Sequence, residues 1–230
     1  MTTALVEALS LSVMFGLRPV LTEVNLKLER GRAAVITGAN GAGKSTLVHA
    51  LCGLIGLSAG QARMFGQDIR RLRADDRRRV GVTLHRSMLY LNLTARENLE
   101  FYAKLNACQK PSEQAARWLE RLGLGAVAEQ RARDLSRGME QRLALARAMI
   151  GEPELVLFDE PFASLDRQGA AVVGELIQEL LARGGAALLT SHEPLTVKGA
   201  EPENYQLVSG RLLPAAAQPS RRTAWRWMLT

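Results

Sequence analysis

The sequence predicts an α/β chain in which a helical block interrupts a frame of strands and helices. Three observations carry that expectation. Short β-rich runs separated by turns fill the N-terminal third. Apolar residues then recur at helical spacing from Ser87 to Ile150. The last third returns to a strand, helix, strand order. With 230 residues, 47% of them apolar, the chain has material for one domain or two lobes around a shared core, and a disordered or collagen-like class is excluded.

In chain order, Ala4–Val13 and Val20–Leu28 show partial period-2 patterning and read as strands. Ala33–Thr37 is a short apolar run bounded by glycines. A helix opens at Lys44 and is expected to reach Leu54, where Gly53, Gly56 and Gly60 stop it. Arg63–Phe65 and Val80–Leu84 read as a short strand pair separated by the basic run Arg70–Arg79. In the middle block, Thr94–Leu105, Ser112–Leu122 and Met139–Ile150 each place apolar residues at i, i+3 and i+4. Leu155–Phe158 then reads as a strand, Gln168–Arg183 as a helix and Ala186–Thr190 as a strand. No internal repeat is apparent. The tail from Pro214 is rich in Ala, Pro and Gln and ends in Arg221, Arg222, Trp225, Arg226 and Trp227. It reads either as a frayed terminus or as a basic-aromatic contact with a membrane surface or membrane partner.

The net charge of +7 could suit nucleic acid or anionic lipid, but the basic residues are scattered and not interleaved with aromatics, so no nucleic-acid partner is expected. The two cysteines, Cys52 and Cys108, have no metal-ligand spacing and read as free, buried thiols of a reducing compartment. The first 25 residues lack the order of a secretory leader. The longest uncharged stretch, Leu47–Ala62, falls short of the ~20 apolar residues that span a bilayer.

Two motifs carry chemistry. Gly38-Ala39-Asn40-Gly41-Ala42-Gly43-Lys44-Ser45-Thr46 fits G-x-x-x-x-G-K-[ST] and stands between an apolar run and a helix, the context in which that spacing cradles phosphates. Its glycines let backbone N–H groups face phosphate oxygens, and the helix N-terminus adds positive charge there. Lys44 would span the β- and γ-phosphates, and the Ser45 hydroxyl would be a Mg²⁺ ligand. Leu155–Phe158 is a strand buried on both faces and runs directly into Asp159 and Glu160. Paired carboxylates beside a core are costly unless they are neutralised or bind metal. With a phosphate loop elsewhere in the chain, Asp159 is the candidate holder of Mg²⁺ and Glu160 the group that polarises the attacking water.

A third segment, Leu135-Ser136-Arg137-Gly138-Met139-Glu140-Gln141-Arg142, resembles the LSGGQ-x-QR signature of the ATP-binding-cassette family at Leu135, Ser136, Gly138, Gln141 and Arg142, and departs from it at Arg137 and Met139. The resemblance extends through nearly the whole chain. Phe15 looks like the family's adenine-stacking aromatic, Ser164-Leu165-Asp166 like its interface loop, and His192 like the histidine that contacts the γ-phosphate. His85 stands where most members have a glutamine, and takes that role in this reading.

The resemblance implies a P-loop NTPase fold of the ABC-type nucleotide-binding class: a RecA-like β/α lobe, an N-terminal antiparallel β portion and an inserted helical subdomain. The domain would span residues 1–213, with the helical part at about 87–150 and a tail at 214–230. It implies an ATPase that binds ATP and Mg²⁺. Two copies would close head to tail, with Ser136–Gly138 of one over the nucleotide held by Lys44 of the other. Separate integral-membrane subunits would dock around Arg86–Leu93, placing the chain peripherally at the cytoplasmic face of the inner membrane. Within the family, His85 followed by Leu93–Leu99, Phe101-Tyr102 and His192-Glu193-Pro194-Leu195 is most similar to ATP-binding subunits of haem exporters used in cytochrome c maturation. Ser136-Arg137-Gly138-Met139 is shared with some exporters of lipids, drugs or antibiotics. A cassette acting on nucleic acid or ribosomes would normally carry two cassettes or a long coiled coil, and no sustained heptads lie between Lys44 and Ser136. A nucleotide-binding regulator without turnover is at odds with the presence of Asp159, Glu160 and His192.

Overall fold

The computed structural model describes residues 4–195 and 201–215. The Arg221–Trp227 tail lies outside the described residues.

Two long strands, β1 (Ala4–Phe15) and β2 (Arg18–Glu29), form an antiparallel hairpin in which alternate residues are buried along Val24–Leu28, whereas Ala4, Leu5 and Val6 are all buried. The apolar run β3 (Ala33–Thr37) follows and leads into helix α1 (Lys44–Leu51). Strand β4 (Ala59–Met64) pairs with β1, and the two-residue β5 (Gln67–Asp68) pairs with β4. These strands make an antiparallel sheet in the order β2-β1-β4-β5. The basic run that follows is not a plain connector, because it contains a 3-10 turn at Ile69–Arg71 and helix α2 (Ala74–Arg78).

The second sheet begins with β6 (Val80–Thr83). Helices α3 (Ala95–Leu105), α4 (Pro111–Arg121) and α5 (Arg137–Met149) come next, followed by β7 (Leu155–Phe158), α6 (Arg167–Ala182) and β8 (Ala186–Ser191). Strands β9 (Glu203–Val208) and β10 (Arg211–Pro214) complete a six-stranded sheet in the order β10-β9-β3-β8-β7-β6. All neighbouring pairs in it run parallel except β9 with β10.

Capping side chains fix where three of these helices start. Thr94 Oγ1 accepts the Glu97 N–H at 3.1 Å while Glu97 Oε2 accepts the Thr94 N–H at 2.8 Å, a reciprocal box. Ser136 and Asp166 accept the N–H groups of Met139 and Gly169 at 3.3 Å and 2.8 Å.

The core has two parts, divided by the parallel sheet. Ala34, Ile36, Leu155, Leu157 and Leu188 face α1 and the antiparallel sheet. Ala33, Val35, Val156, Phe158 and Leu189 face the helices α3, α5 and α6. A strand buried on both faces shows no polar alternation, which is why β3 and β7 read as continuous apolar runs.

The α/β expectation, with an antiparallel portion at the N-terminus and helices between β6 and β7, is borne out. Four details differ. Arg63–Phe65 and Val80–Leu84 do not pair: β4 lies beside β1, whereas β6 lies beside β7 in the other sheet. Helix α1 ends at Leu51 rather than Leu54, because Gly53 takes a φ of +70° that ends the helical run. Cys52 and Cys108, expected as buried thiols in helical sequence, lie just beyond the ends of α1 and α3, and each is half-buried. Pro214 belongs to β10, so ordered pairing runs one residue into the segment read as tail.

Candidate functional site

The parallel register places the chemistry. β3, β6, β7 and β8 point the same way, so their C-terminal ends share one edge of the sheet. Thr37 of β3 leads into Gly38, Thr83 of β6 toward His85, Phe158 of β7 into Asp159, and Ser191 of β8 into His192. In open α/β sheets, that carboxyl edge is where ligands bind.

The loop after β3 wraps tightly before α1. Gly41 and Gly43 have φ of +76° and +109°, and a Cβ at Gly43 would stand 3.1 Å from the Val20 carbonyl, so both the turn and the close packing require glycine. Gly43 is the N-cap of α1, whose first turn begins Lys44-Ser45-Thr46 and carries no acidic side chain. The positive end of the helix is therefore not offset by its own residues. Lys44 is 5% exposed; its Nζ donates to the Gly38 carbonyl at 2.8 Å and lies 3.6 Å from Glu160 Oε1.

Glu160 is the meeting point of the site. The same Oε1 lies 2.8 Å from His192 Nε2. Its φ of +52° puts a non-glycine residue in the left-handed region, and this turns the chain sharply at the strand end. Asp159 is buried at 4% exposure; its N–H donates to the Thr83 carbonyl at 3.0 Å and its Oδ1 accepts the Thr190 hydroxyl at 2.6 Å. Thr190 Oγ1 in turn accepts the Glu160 N–H at 3.0 Å. Thr190 escaped the sequence reading because a threonine inside an apolar strand looks like an ordinary β-former.

His85 sits exposed in the loop after β6, and that loop is tied to the helices. Arg147 Nη2 donates to the Val82 carbonyl before the loop, Ser87 Oγ donates to Glu140 Oε1 at 2.5 Å, and the Tyr102 hydroxyl donates to the Met88 carbonyl at 2.6 Å. The Arg147 guanidinium lies 5.2 Å from the centre of the Tyr102 ring, and burial lowers its pKa. A cavity of about 250 Å³ beside these residues is lined by Cys52, Met64, Met88, Tyr102, Leu105 and Arg147.

The structure thus brings Lys44, Asp159, Glu160 and His192 together, with Gly38, Asn40, Gly41, Gly43, Ser45 and Thr46 in the adjoining loop and helix start. Three predicted groups stand elsewhere. Phe15 is 55% exposed at the end of β1. Ser136 and Gly138 open α5, where a Cβ on Gly138 would lie 3.2 Å from the Ser164 carbonyl. Asp166 is exposed at the start of α6. Among the described residues, no hydrogen bond or ion pair joins any of these three groups to Lys44 or Glu160.

Comparison with known proteins agrees with this geometry. A family model described as ABC transporter matches residues 21–163. A cytochrome c biogenesis ATP-binding export protein of Cereibacter sphaeroides is 36% identical over 87% of this chain and 88% of its own length. A probable multidrug ABC transporter ATP-binding protein of Escherichia coli is 31% identical over 81% of this chain, a match covering 33% of that protein. A solved ATP-binding subunit of an ABC transporter superposes with a TM-score of 0.83 at 27% identity, covering 90% of this chain and 88% of the other. With the phosphate loop, the paired carboxylates and the strand-end histidine on one sheet edge, the chain belongs to the ABC transporter family, as an ATP-binding and ATP-hydrolysing subunit.

Proposed function

We propose that this subunit binds Mg-ATP at the carboxyl edge of its parallel sheet and uses hydrolysis to drive separate membrane subunits in haem export for cytochrome c maturation. The observation that carries the catalytic part is the convergence of Lys44, Asp159, Glu160 and His192 at the ends of three neighbouring strands, β3, β8 and β7. The haem-export part rests on the resemblance of the His85 and His192 segments and on the similarity to the cytochrome c biogenesis export protein of Cereibacter sphaeroides.

Phosphoryl transfer depends on positioning and electrostatic stabilisation. Backbone N–H groups of the Gly38–Thr46 segment and the start of α1 face the β- and γ-phosphates. Lys44 leaves Glu160 and the Gly38 carbonyl for the phosphate oxygens, whose charge outweighs a single carboxylate. Glu160, freed from Lys44, orients the attacking water and accepts its proton. His192 stays on the other side of Glu160, within reach of the γ-phosphate, and His85 approaches from the loop beyond β6. Phe15, exposed at the hairpin end, offers a face for adenine to stack on.

Mg²⁺ fits the donor set. Ser45 and Asp159 offer hard oxygens, and no described residue donates a hydrogen bond to Asp159 Oδ2. No group of three or more His, Cys, Asp or Glu suited to a metal occurs among the described residues. That suits an ion held by one or two protein oxygens and the substrate phosphates. When bound, it would neutralise charge developing on the phosphate oxygens.

Among the described residues, no hydrogen bond or ion pair joins Ser136, Gly138 or Asp166 to Lys44 or Glu160 of their own chain, which supports a composite site. In a head-to-tail dimer, these residues of one copy close over the nucleotide of the other. No helix among the described residues is long and apolar enough to cross a membrane. Exposed Tyr90, Leu91, Phe101 and Leu105 beside the His85 loop offer an apolar face to membrane subunits docking around Arg86–Leu93, with Tyr90 and Phe101 packed edge to face at 4.9 Å. The chain would then work peripherally, at the cytoplasmic face of the inner membrane.

The test is the reduced-minus-oxidised spectrum of membranes from native cells carrying Lys44→Ala. Loss of the c-type cytochrome band with b-type bands retained supports haem export. Normal c-type cytochromes would move the assignment to export of another lipid, drug or antibiotic, the reading that Ser136-Arg137-Gly138-Met139 and the Escherichia coli relative favour.

A further inference from the structure

β8 is the strand between the phosphate-loop strand β3 and the carboxylate strand β7. In that register Thr190 lies opposite Ile36 of β3, and Leu189 lies opposite Phe158 of β7. One residue beyond the Phe158–Leu189 pair, the Thr190 hydroxyl meets both functional carboxylate residues at once. It is completely buried and donates to Asp159 Oδ1 at 2.6 Å while accepting the Glu160 N–H at 3.0 Å.

A hydroxyl has a single proton and two lone pairs. An ionised carboxylate can only accept, and a backbone N–H can only donate. The direction of the Thr190 O–H bond is therefore set by its two partners, toward Asp159 and away from Glu160. Among the described residues, no other side chain hydrogen-bonds Asp159. Glu160 holds a φ of +52°, a conformation L-residues adopt only when their surroundings impose it, and its N–H is anchored by this same hydroxyl. That turn aims the Glu160 side chain at Lys44 and His192. Two residues after Thr190, the same strand delivers His192.

We propose that Thr190 is a positioning residue that sets the orientation of Asp159 and the left-handed turn at Glu160 through one hydroxyl, tying both to the strand that carries His192. With Oδ1 committed to Thr190, Oδ2 is the oxygen left for a cation. The proposal rests on the reading of Asp159 as a metal holder and Glu160 as the water-orienting base. A hydroxyl that merely satisfied buried polar atoms would affect stability and nothing else.

The test compares Thr190→Val, which keeps the shape and removes both bonds, with Thr190→Ser, which keeps the hydroxyl. The metal probe is Mn²⁺, titrated by electron paramagnetic resonance into ATP-saturated protein. Removing a group that orients a metal ligand typically weakens metal affinity or activity by about 10–100-fold. Thr190→Val is expected to weaken Mn²⁺ by that range and to lower kcat with little change in KM. ATP affinity measured in EDTA should stay within about twofold, and Thr190→Ser should restore metal affinity and turnover. The proposal is overturned if Thr190→Val binds Mn²⁺ like the wild type, if it loses metal-free ATP affinity to the same degree, or if Thr190→Ser is as impaired as Thr190→Val.

Asp159→Asn provides the control for the underlying reading. Wild-type Mn²⁺ affinity in that variant would sink the metal-holder assignment itself, independently of Thr190. If Thr190→Val does not fold, Thr190→Cys, of similar volume but with a weak donor, takes its place with the same expected and overturning results.

Discussion

The Glu160 carboxylate and the His192 imidazole meet at 2.8 Å through Oε1 and Nε2, and the same carboxylate oxygen lies 3.6 Å from Lys44 Nζ. One oxygen is thus shared between a cation that phosphate would draw away and a histidine that would remain. Glu160→Gln keeps the shape and removes the base. It is expected to lower kcat by about 10²–10⁴-fold. Because the amide no longer competes for Lys44, ATP affinity should be unchanged or tighter, and the ATP-bound dimer should accumulate. Size-exclusion light scattering would show a doubled mass with ATP; a monomer that holds ATP without pairing would contradict the composite site.

Lys44 is held by the Gly38 carbonyl at 2.8 Å in a nearly closed setting. Lys44→Ala removes the charge meant for the β- and γ-phosphates without touching the glycine turns. Nucleotide affinity is expected to fall by at least about tenfold, roughly the 1.4 kcal/mol that one tenfold step represents. The fold should survive, because taking away a buried ammonium also takes away its desolvation cost. Calorimetric titration with Mg-ATP, beside a thermal melt, separates the two effects; unchanged affinity and turnover would refute the phosphate-loop assignment.

Strands β3 and β7 were legible because burial on both faces leaves an uninterrupted apolar run, and each runs straight into its motif. The helix starts were less plain: Thr94, read as helical, is the cap of α3, and Asp166, read as part of an interface loop, is the cap of α6, because a short oxygen side chain serves a loop and a helix end equally well. Strand β9 was not anticipated. Only Leu207 in it is fully buried, and its place comes from pairing with β3, far away in the chain. The same long-range pairing separates Arg63–Phe65 from Val80–Leu84, which no local pattern encodes. Thr190 belongs in this group as well: its hydroxyl gains meaning only once β7 is known to lie beside it.

Asn98 locks the segment that precedes α3. It is completely buried; its Oδ1 accepts the Tyr90 N–H at 2.8 Å, and its Nδ2 donates to the carbonyls of Tyr90 and Thr94 at 3.0 Å and 2.9 Å. Asn98→Ala would leave the Tyr90 N–H unpaired beside a new void. Each unsatisfied buried group costs about 1–3 kcal/mol, so an unfolding free energy lower by about 2–3 kcal/mol is expected in urea. The Tyr90 amide should also exchange hydrogen faster than in the wild type. An equal melt and equal exchange would mean that the loop is held by its apolar contacts alone.

The Cys52 thiol follows from the packing around it. Burial pushes its pKa up to about 12, and the nearby negative charge of Asp159 adds to the shift. Burial raises the pKa of the Cys108 thiol as well. In the folded chain Cys52 is therefore a neutral thiol at pH 8, and iodoacetamide is expected to modify Cys108 well before Cys52. In the unfolded chain the thiol ionises near its ordinary value of about 8.5. A folded pKa above the unfolded one gives stability that is complete below about pH 8.5 and lost as pH rises toward about 12. Cys52→Ala should flatten that alkaline loss relative to wild type, after allowance for a constant packing penalty at neutral pH. Parallel stability curves from pH 8 to 11 would show that the thiol ionises at the same pH in both states and that other groups account for the alkaline loss.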